Sequence, residues 1–194
     1  MWAILGGTFD PVHYGHLTLA REILTGKMLD GVVFIPAYHP PHKPKNCHAS
    51  YEDRLAMLAL AVAGERFFII SRIEEELGTT GFTLHTVRVV KKKYPAAGFY
   101  FIIGADNIDA LKDWYRPEEI LKEIKIISGT RPNYPQAATS HHLADKIEFM
   151  PTTPVDISSS EIREKIKRGA SKEQLIGYMP EKVVVYILEK NLYR

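Results

Sequence analysis

Two histidines three residues apart, His13 and His16, close the run Gly6-Gly7-Thr8-Phe9-Asp10-Pro11-Val12-His13-Tyr14-Gly15-His16. An apolar stretch at residues 2–5 leads into the glycines, and helical spacing begins at Gly15. A strand, a glycine turn and a helix opening make an anion site. The glycines let backbone approach a phosphate, and the helix end supplies free N–H groups with partial positive charge. At the start of a helix, His13 and His16 project from one face, with Gly15 leaving room for a ligand. Imidazoles placed there donate hydrogen bonds to a phosphate. When protonated they also add charge where it develops in a phosphoryl-type transition state. Ordinary cap histidines and His/His/Asp metal ligation are the competing readings. No Gly-Lys-Ser/Thr follows the glycines, so this is not a P-loop, and the GxGxxG dinucleotide fingerprint is absent.

A second helix opening lies near the other end, at Ile157-Ser158-Ser159-Ser160-Glu161-Ile162-Arg163. Ser158 or Ser159 can cap that helix while hydroxyls and N–H groups face an anion, and Arg163, one turn in, offers a planar fork of donors. A plain capping box, Ser158 with Glu161, explains part of the same pattern and coexists with phosphate binding. Gly104-Ala105-Asp106 follows an apolar run at 99–103, where open α/β sheets bind ligands. Asp106 is a candidate acceptor for ribose hydroxyls or, alternatively, a helix N-cap.

The elements that must position these residues alternate along the chain. Short apolar runs at 2–5, 31–36, 67–71, 99–103, 124–128 and 147–150 predict strands, and helical spacing at 15–24, 51–63 and 83–93 predicts helices between them. Ser50 is the expected N-cap of the second helix. Residues 160–167, 172–176 and 180–192 read as a helical tail, with 183–188 as an alternative strand. The expected fold is α/β: one Rossmann-like domain over residues 1–194, a mostly parallel sheet with helices on both faces, and a helical C-terminal part from about 158 to 194. Loops at 37–49 and 130–136 are rich in turn residues and are candidate substrate loops.

With these motifs in view, the chain resembles the HxGH nucleotidyltransferases, and among them the bacterial nicotinate-nucleotide adenylyltransferases. The resemblance rests on Gly6 to His16 with Leu17, and on Ile157 to Arg163. His39-Pro40-Pro41-His42-Lys43, Tyr51-Glu52-Asp53-Arg54-Leu55, Gly104-Ala105-Asp106 and Trp114 add to it. It implies adenylyl transfer from ATP to nicotinate mononucleotide, giving deamido-NAD and pyrophosphate, with Mg²⁺ carried by ATP and no separate metal site. His13, His16, Lys43 and Arg163 would be the catalytic set. Gly6, Gly7, Thr8, Phe9, Gly104, Asp106, Ile157, Ser158 and Ser159 would bind ATP. Thr83, Thr86, Trp114 and Arg131 would bind the acceptor, Trp114 by stacking on the pyridine ring and the threonines near its carboxylate. His85 stands where relatives usually have Asp, and Asn133 where Gly is common, both on the acceptor side.

Nicotinamide mononucleotide, phosphopantetheine and a cytidylyl-transfer substrate are the alternative acceptor readings. A non-catalytic nucleotide-binding protein is the alternative from another class. A net charge of +2 over 194 residues is too small to argue by itself for a nucleic-acid or membrane-surface partner, and neither is expected. The one basic cluster, Lys91-Lys92-Lys93, reads as a solvated helix end. The single cysteine, Cys47, excludes an internal disulfide framework and fits a reducing compartment, so a cytoplasmic protein is expected. A homo-oligomer is left open.

Overall fold

In the computed structural model, which describes residues 1–39, 47–78, 81–130 and 142–194, six strands form one sheet. They are β1 (Trp2–Gly7), β2 (Gly31–Pro36), β3 (Phe68–Ile70), β4 (Phe99–Ile103), β5 (Lys125–Thr130) and β6 (Glu148–Pro151). All neighbouring pairs are parallel, in the order β3-β2-β1-β4-β5-β6. That order reverses direction between β1 and β4, so the crevice at their carboxyl ends is the topological switch point at which doubly wound sheets bind ligands. Gly6 and Gly7 end β1 on that edge, and Gly104 follows β4 beside them.

The central strands read as continuous apolar runs because both of their faces are covered. Ala3, Leu5, Val32, Phe34, Ile102 and Ile127 point to one layer. It contains α1 (Tyr14–Gly26), α2 (Tyr51–Val62), α6 (Ser159–Lys167), α7 (Lys172–Leu175) and α8 (Glu181–Glu189). Ile4, Ile35, Phe101, Ile103 and Ile126 point to the other, against α3 (Ile73–Leu77), α4 (Thr83–Lys93) and α5 (Pro117–Glu123). Ser50 caps α2 as expected, its Oγ accepting from Asp53 N–H at 3.1 Å.

The strand alternative for 183–188 is overturned. Val183, Val184 and Ile187 are buried at helical spacing on α8, a stripe that packs onto the first layer and that a strand would split across two faces. Two α-helices went unforeseen among the described residues, α3 and α5, both short and with acidic first turns, with little apolar periodicity to announce them. The Lys91–Lys93 cluster does end a helix, and Lys91 and Lys93 pair with Glu123 and Glu76. Among the described residues no helix is long and apolar enough to cross a membrane.

Candidate active site

The paired histidines stand where β1 hands over to α1. His13 is the N-cap of α1, in extended backbone, and His16 lies in its first turn. Their rings are 3.8 Å apart between centroids. Gly15 is required by this packing: a Cβ there would lie 2.9 Å from His13 Nδ1, so any side chain would displace the imidazole. The same imagined Cβ would lie 3.7 Å from the carbonyl oxygen of Ile157, which puts the lead-in to α6 directly beside the pair.

Position and burial fix the protonation of the two rings. His13 is 7% exposed, and burial, with a smaller contribution from His16, holds its imidazole far below the usual 6.5. Burial lowers His16 to about 4. Both are therefore neutral near pH 7, so in the free protein the pair offers hydrogen-bond donors and not standing charge. His16 Nδ1 accepts the backbone N–H of His13 at 3.3 Å, so its proton sits on Nε2. His13 Nδ1 is buried without a partner, and burying an unpaired lone pair costs less than burying an unpaired N–H. The pair thus offers two Nε2–H donors.

A stability consequence follows. Because both folded-state values lie below 6.5, the unfolded chain takes up protons first as pH falls, and stability declines below about 6.5. A buried imidazole kept neutral costs about 1.4 kcal/mol per pH unit in that range. Urea midpoints between pH 7.5 and 5 should fall more steeply for the wild type than for His13→Asn; equal slopes would refute burial as the cause.

The second helix opening converges on the same loop. Arg163 Nη1 donates to the backbone carbonyl of Asp10 at 2.7 Å, and Ser159 Oγ donates to that of Pro11 at 2.9 Å. Arg163 Nη2 also donates to Ser160 Oγ at 3.0 Å, leaving further guanidinium donors for an anion. Ser158 caps α6, its Oγ accepting from Glu161 N–H at 3.1 Å, and keeps its own hydroxyl hydrogen to donate. Ser159 differs from expectation: its hydroxyl is committed to Pro11, so what it offers a phosphate is backbone N–H.

Other expected residues fall into place unevenly. Phe9 is 1% exposed and its ring lies in the core, against Phe34 and edge-on to His16, so it backs the imidazole and does not line the cleft. Its left-handed φ of 50° is held by that packing. Thr86 is likewise buried, and its hydroxyl donates to Glu74 at 3.0 Å instead of facing a ligand. Thr83 begins α4 and is partly exposed. Gly104, not Asp106, caps the 3₁₀ turn after β4; Asp106 lies within the turn, its side chain outside the described set. Trp114 is partly exposed and meets Phe101 edge-on at 6.1 Å, while Phe101 in turn sits 3.2 Å from where a Gly6 Cβ would be. That chain of contacts brings Trp114 to the β1 end of the cleft. His85 joins Phe82 and Tyr115 in an aromatic cluster beside it. Lys43, Arg131 and Asn133 lie outside the described residues. Among the described residues no group of three or more His, Cys, Asp or Glu is placed to hold a metal.

Two residues were read too modestly from the sequence. Arg54, 1% exposed, donates to the carbonyls of Thr8 at 2.7 Å and Ala37 at 2.8 Å, tying the loops after β1 and β2 together. Its place on a buried stripe with Met57, Leu58 and Ala61 is the signal that separates it from a solvated first-turn charge. Asp10, 3% exposed, accepts from His48 N–H at 2.8 Å, Ala49 N–H at 3.2 Å and Tyr193 Oη at 2.7 Å.

A switch-point crevice flanked by two helix openings, with neutral imidazoles on one and a guanidinium on the other, defines an α/β nucleotidyltransferase. The cytidylyltransferase-like family model matches residues 4–165, and the chain belongs to that family. A relative from Geobacillus thermodenitrificans named "Probable nicotinate-nucleotide adenylyltransferase" is 40% identical over 190 residues, covering 98% of this chain and 84% of its own. One of the same name from Rubrobacter xylanophilus is 37% identical over 197 residues, covering 98% and 91%. A solved structure of Plasmodium falciparum nicotinic acid mononucleotide adenylyltransferase complexed with NaAD superposes with a TM-score of 0.83 at 20% identity, covering 99% of this chain and 96% of that one, and shares the fold.

Proposed function

We propose that the protein transfers the adenylyl group of ATP to nicotinate mononucleotide, forming deamido-NAD and pyrophosphate in NAD biosynthesis. The observation that carries this reading is the convergence of α6 on the loop that bears the histidines: Arg163 and Ser159 bond to Asp10 and Pro11, just ahead of His13. A single triphosphate can then touch both helix openings. The relatives' shared name supports the choice of acceptor.

The reaction is an in-line displacement. A 5′-phosphate oxygen of the acceptor forms a bond to the α-phosphorus of ATP as the bond to the bridging α–β oxygen breaks, and the electron pair leaves with pyrophosphate. The attacking phosphate is already ionised, so no protein base or covalent intermediate is needed. Catalysis is positioning plus stabilisation of developing charge. The Nε2–H groups of His13 and His16 donate to the α-phosphate and bridging oxygens. Arg163, Ser158 and the N–H groups opening α6 hold the leaving β- and γ-phosphates, with Lys43 as a further cation. Mg²⁺ enters with ATP as part of the substrate. Gly104 and Asp106 border the nucleoside, and Thr83, Trp114 and Arg131 border the acceptor. The single cysteine favours a reducing compartment, the cytoplasm.

Pyrophosphate release by purified protein with MgATP should be fastest with nicotinate mononucleotide in a panel that includes nicotinamide mononucleotide and phosphopantetheine, and CTP should not replace ATP. A preference for phosphopantetheine or CTP would overturn the assignment. Trp114→Ala should raise KM for the acceptor by about tenfold, corresponding to loss of about 1.4 kcal/mol of ring contact, while KM for ATP stays nearly constant. Equal changes in both KM values would place Trp114 in the core and away from the acceptor.

A further inference from the structure

We infer that Tyr193 is a positioning residue for the reaction, acting through Asp10 to fix the histidine loop against Arg163. The inference rests on the adenylyl-transfer reading above. Four separate segments meet at Asp10. Its carboxylate accepts Tyr193 Oη and Ala49 N–H on Oδ1 and His48 N–H on Oδ2, while its backbone carbonyl takes the Arg163 guanidinium. Asp10 therefore joins the histidine loop, the lead-in to α2, α6 and the segment after α8 at one point.

A carboxylate this deeply buried holds its position only while its oxygens are satisfied. Among the described residues, Tyr193 supplies the one side-chain donor to the carboxylate itself. Its backbone reaches Asp10 by an unusual path: past α8 both Asn191 and Tyr193 adopt left-handed φ, 52° and 67°, which bends the chain back into the protein. Left-handed backbone at a tyrosine persists only where tertiary contacts over-determine it, and here those contacts are Asp10 and the Met57 sulfur at 3.9 Å. Burial and then the nearby Asp10 charge push the phenol well above its ordinary range, so the hydroxyl remains a donor throughout any practical assay.

The structure also holds its own control. Tyr186, on α8, donates its hydroxyl to Asp53 Oδ1 on α2 at 2.9 Å, a second tyrosine–carboxylate bond between the C-terminal part and the body that touches no residue of the histidine loop. Tyr193→Phe and Tyr186→Phe each delete one hydroxyl and leave a ring in place.

Tyr193→Phe should lower kcat about tenfold with KM for MgATP and nicotinate mononucleotide changed by less than about twofold, as expected when bound substrates are less well aligned. Tyr186→Phe should leave kcat within about twofold of wild type. Hydrogen exchange should show the amides of His48 and Ala49 losing protection in Tyr193→Phe and not in Tyr186→Phe, a readout that is independent of the acceptor. Equal kcat in the two variants, unchanged protection at 48 and 49, or loss of cooperative melting confined to Tyr193→Phe would each overturn the positioning role. Wild-type protein inactive with nicotinate mononucleotide would instead refute the reaction, and the exchange data would still decide the role of Tyr193.

Discussion

Replacing His16 with alanine should leave a folded protein whose kcat is at least about a hundredfold lower, the usual cost of removing one preorganised donor to developing charge. The expectation follows from the way the ring is held. Its Nδ1 is occupied by the His13 backbone N–H, its edge rests on Phe9, and burial keeps it neutral, so the donor it would present to the α-phosphate in the proposed reaction is a fixed Nε2–H. His16→Asn is the informative companion. An amide can accept from His13 N–H and still present a donor, so it should recover part of the lost rate while alanine recovers none. KM for ATP should change far less than kcat, because the contact strengthens as charge builds on the α-phosphate. Steady-state kinetics beside a thermal melt checks both points. Near-normal turnover in His16→Ala, with melting intact, would remove the histidines from the chemistry.

Arg163→Ala should lose about 10²–10³ in kcat and, unlike His16→Ala, also weaken ATP. Two causes add. In the proposed reaction the guanidinium would hold the leaving phosphates, and its bond to the Asp10 carbonyl ties the two helix openings together. Lysine keeps the charge but has no planar fork to reach Asp10, Ser160 and a phosphate together. Arg163→Lys should therefore stay within about tenfold of the alanine variant. If lysine restored wild-type kcat, charge alone would account for Arg163 and the geometric half of the case would fail.

Much of this was legible in the chain. The six apolar runs became the six strands because a parallel sheet covered on both faces needs unbroken apolar sequence, and the alternation with helices announced parallel pairing, although not the strand order. His13, His16 and Arg163 were legible because their residue types at helix openings have a narrow set of uses. What escaped was long-range pairing of buried polar groups. Nothing local marks Tyr193 as the donor to Asp10, or Glu74 as the acceptor that takes up the Thr86 hydroxyl and Tyr38 N–H. Thr86 was misread for that reason: a hydroxyl's partner, not its place in the sequence, decides whether it faces a ligand. The protonation of the histidines escaped similarly, since burial is a property of the packed layer and not of the motif.

Arg54 carries an evolutionary consequence. It grips the carbonyl oxygens of Thr8 and Ala37, and every amino acid has a carbonyl. The side chains at 8 and 37 can drift without loosening what Arg54 holds, whereas position 54 itself has no substitute able to span two main-chain oxygens from inside a helix–sheet seam. Side chains on the cleft walls can therefore change chemistry to suit a new substrate, while Arg54 keeps the gap between the ends of β1 and β2 set.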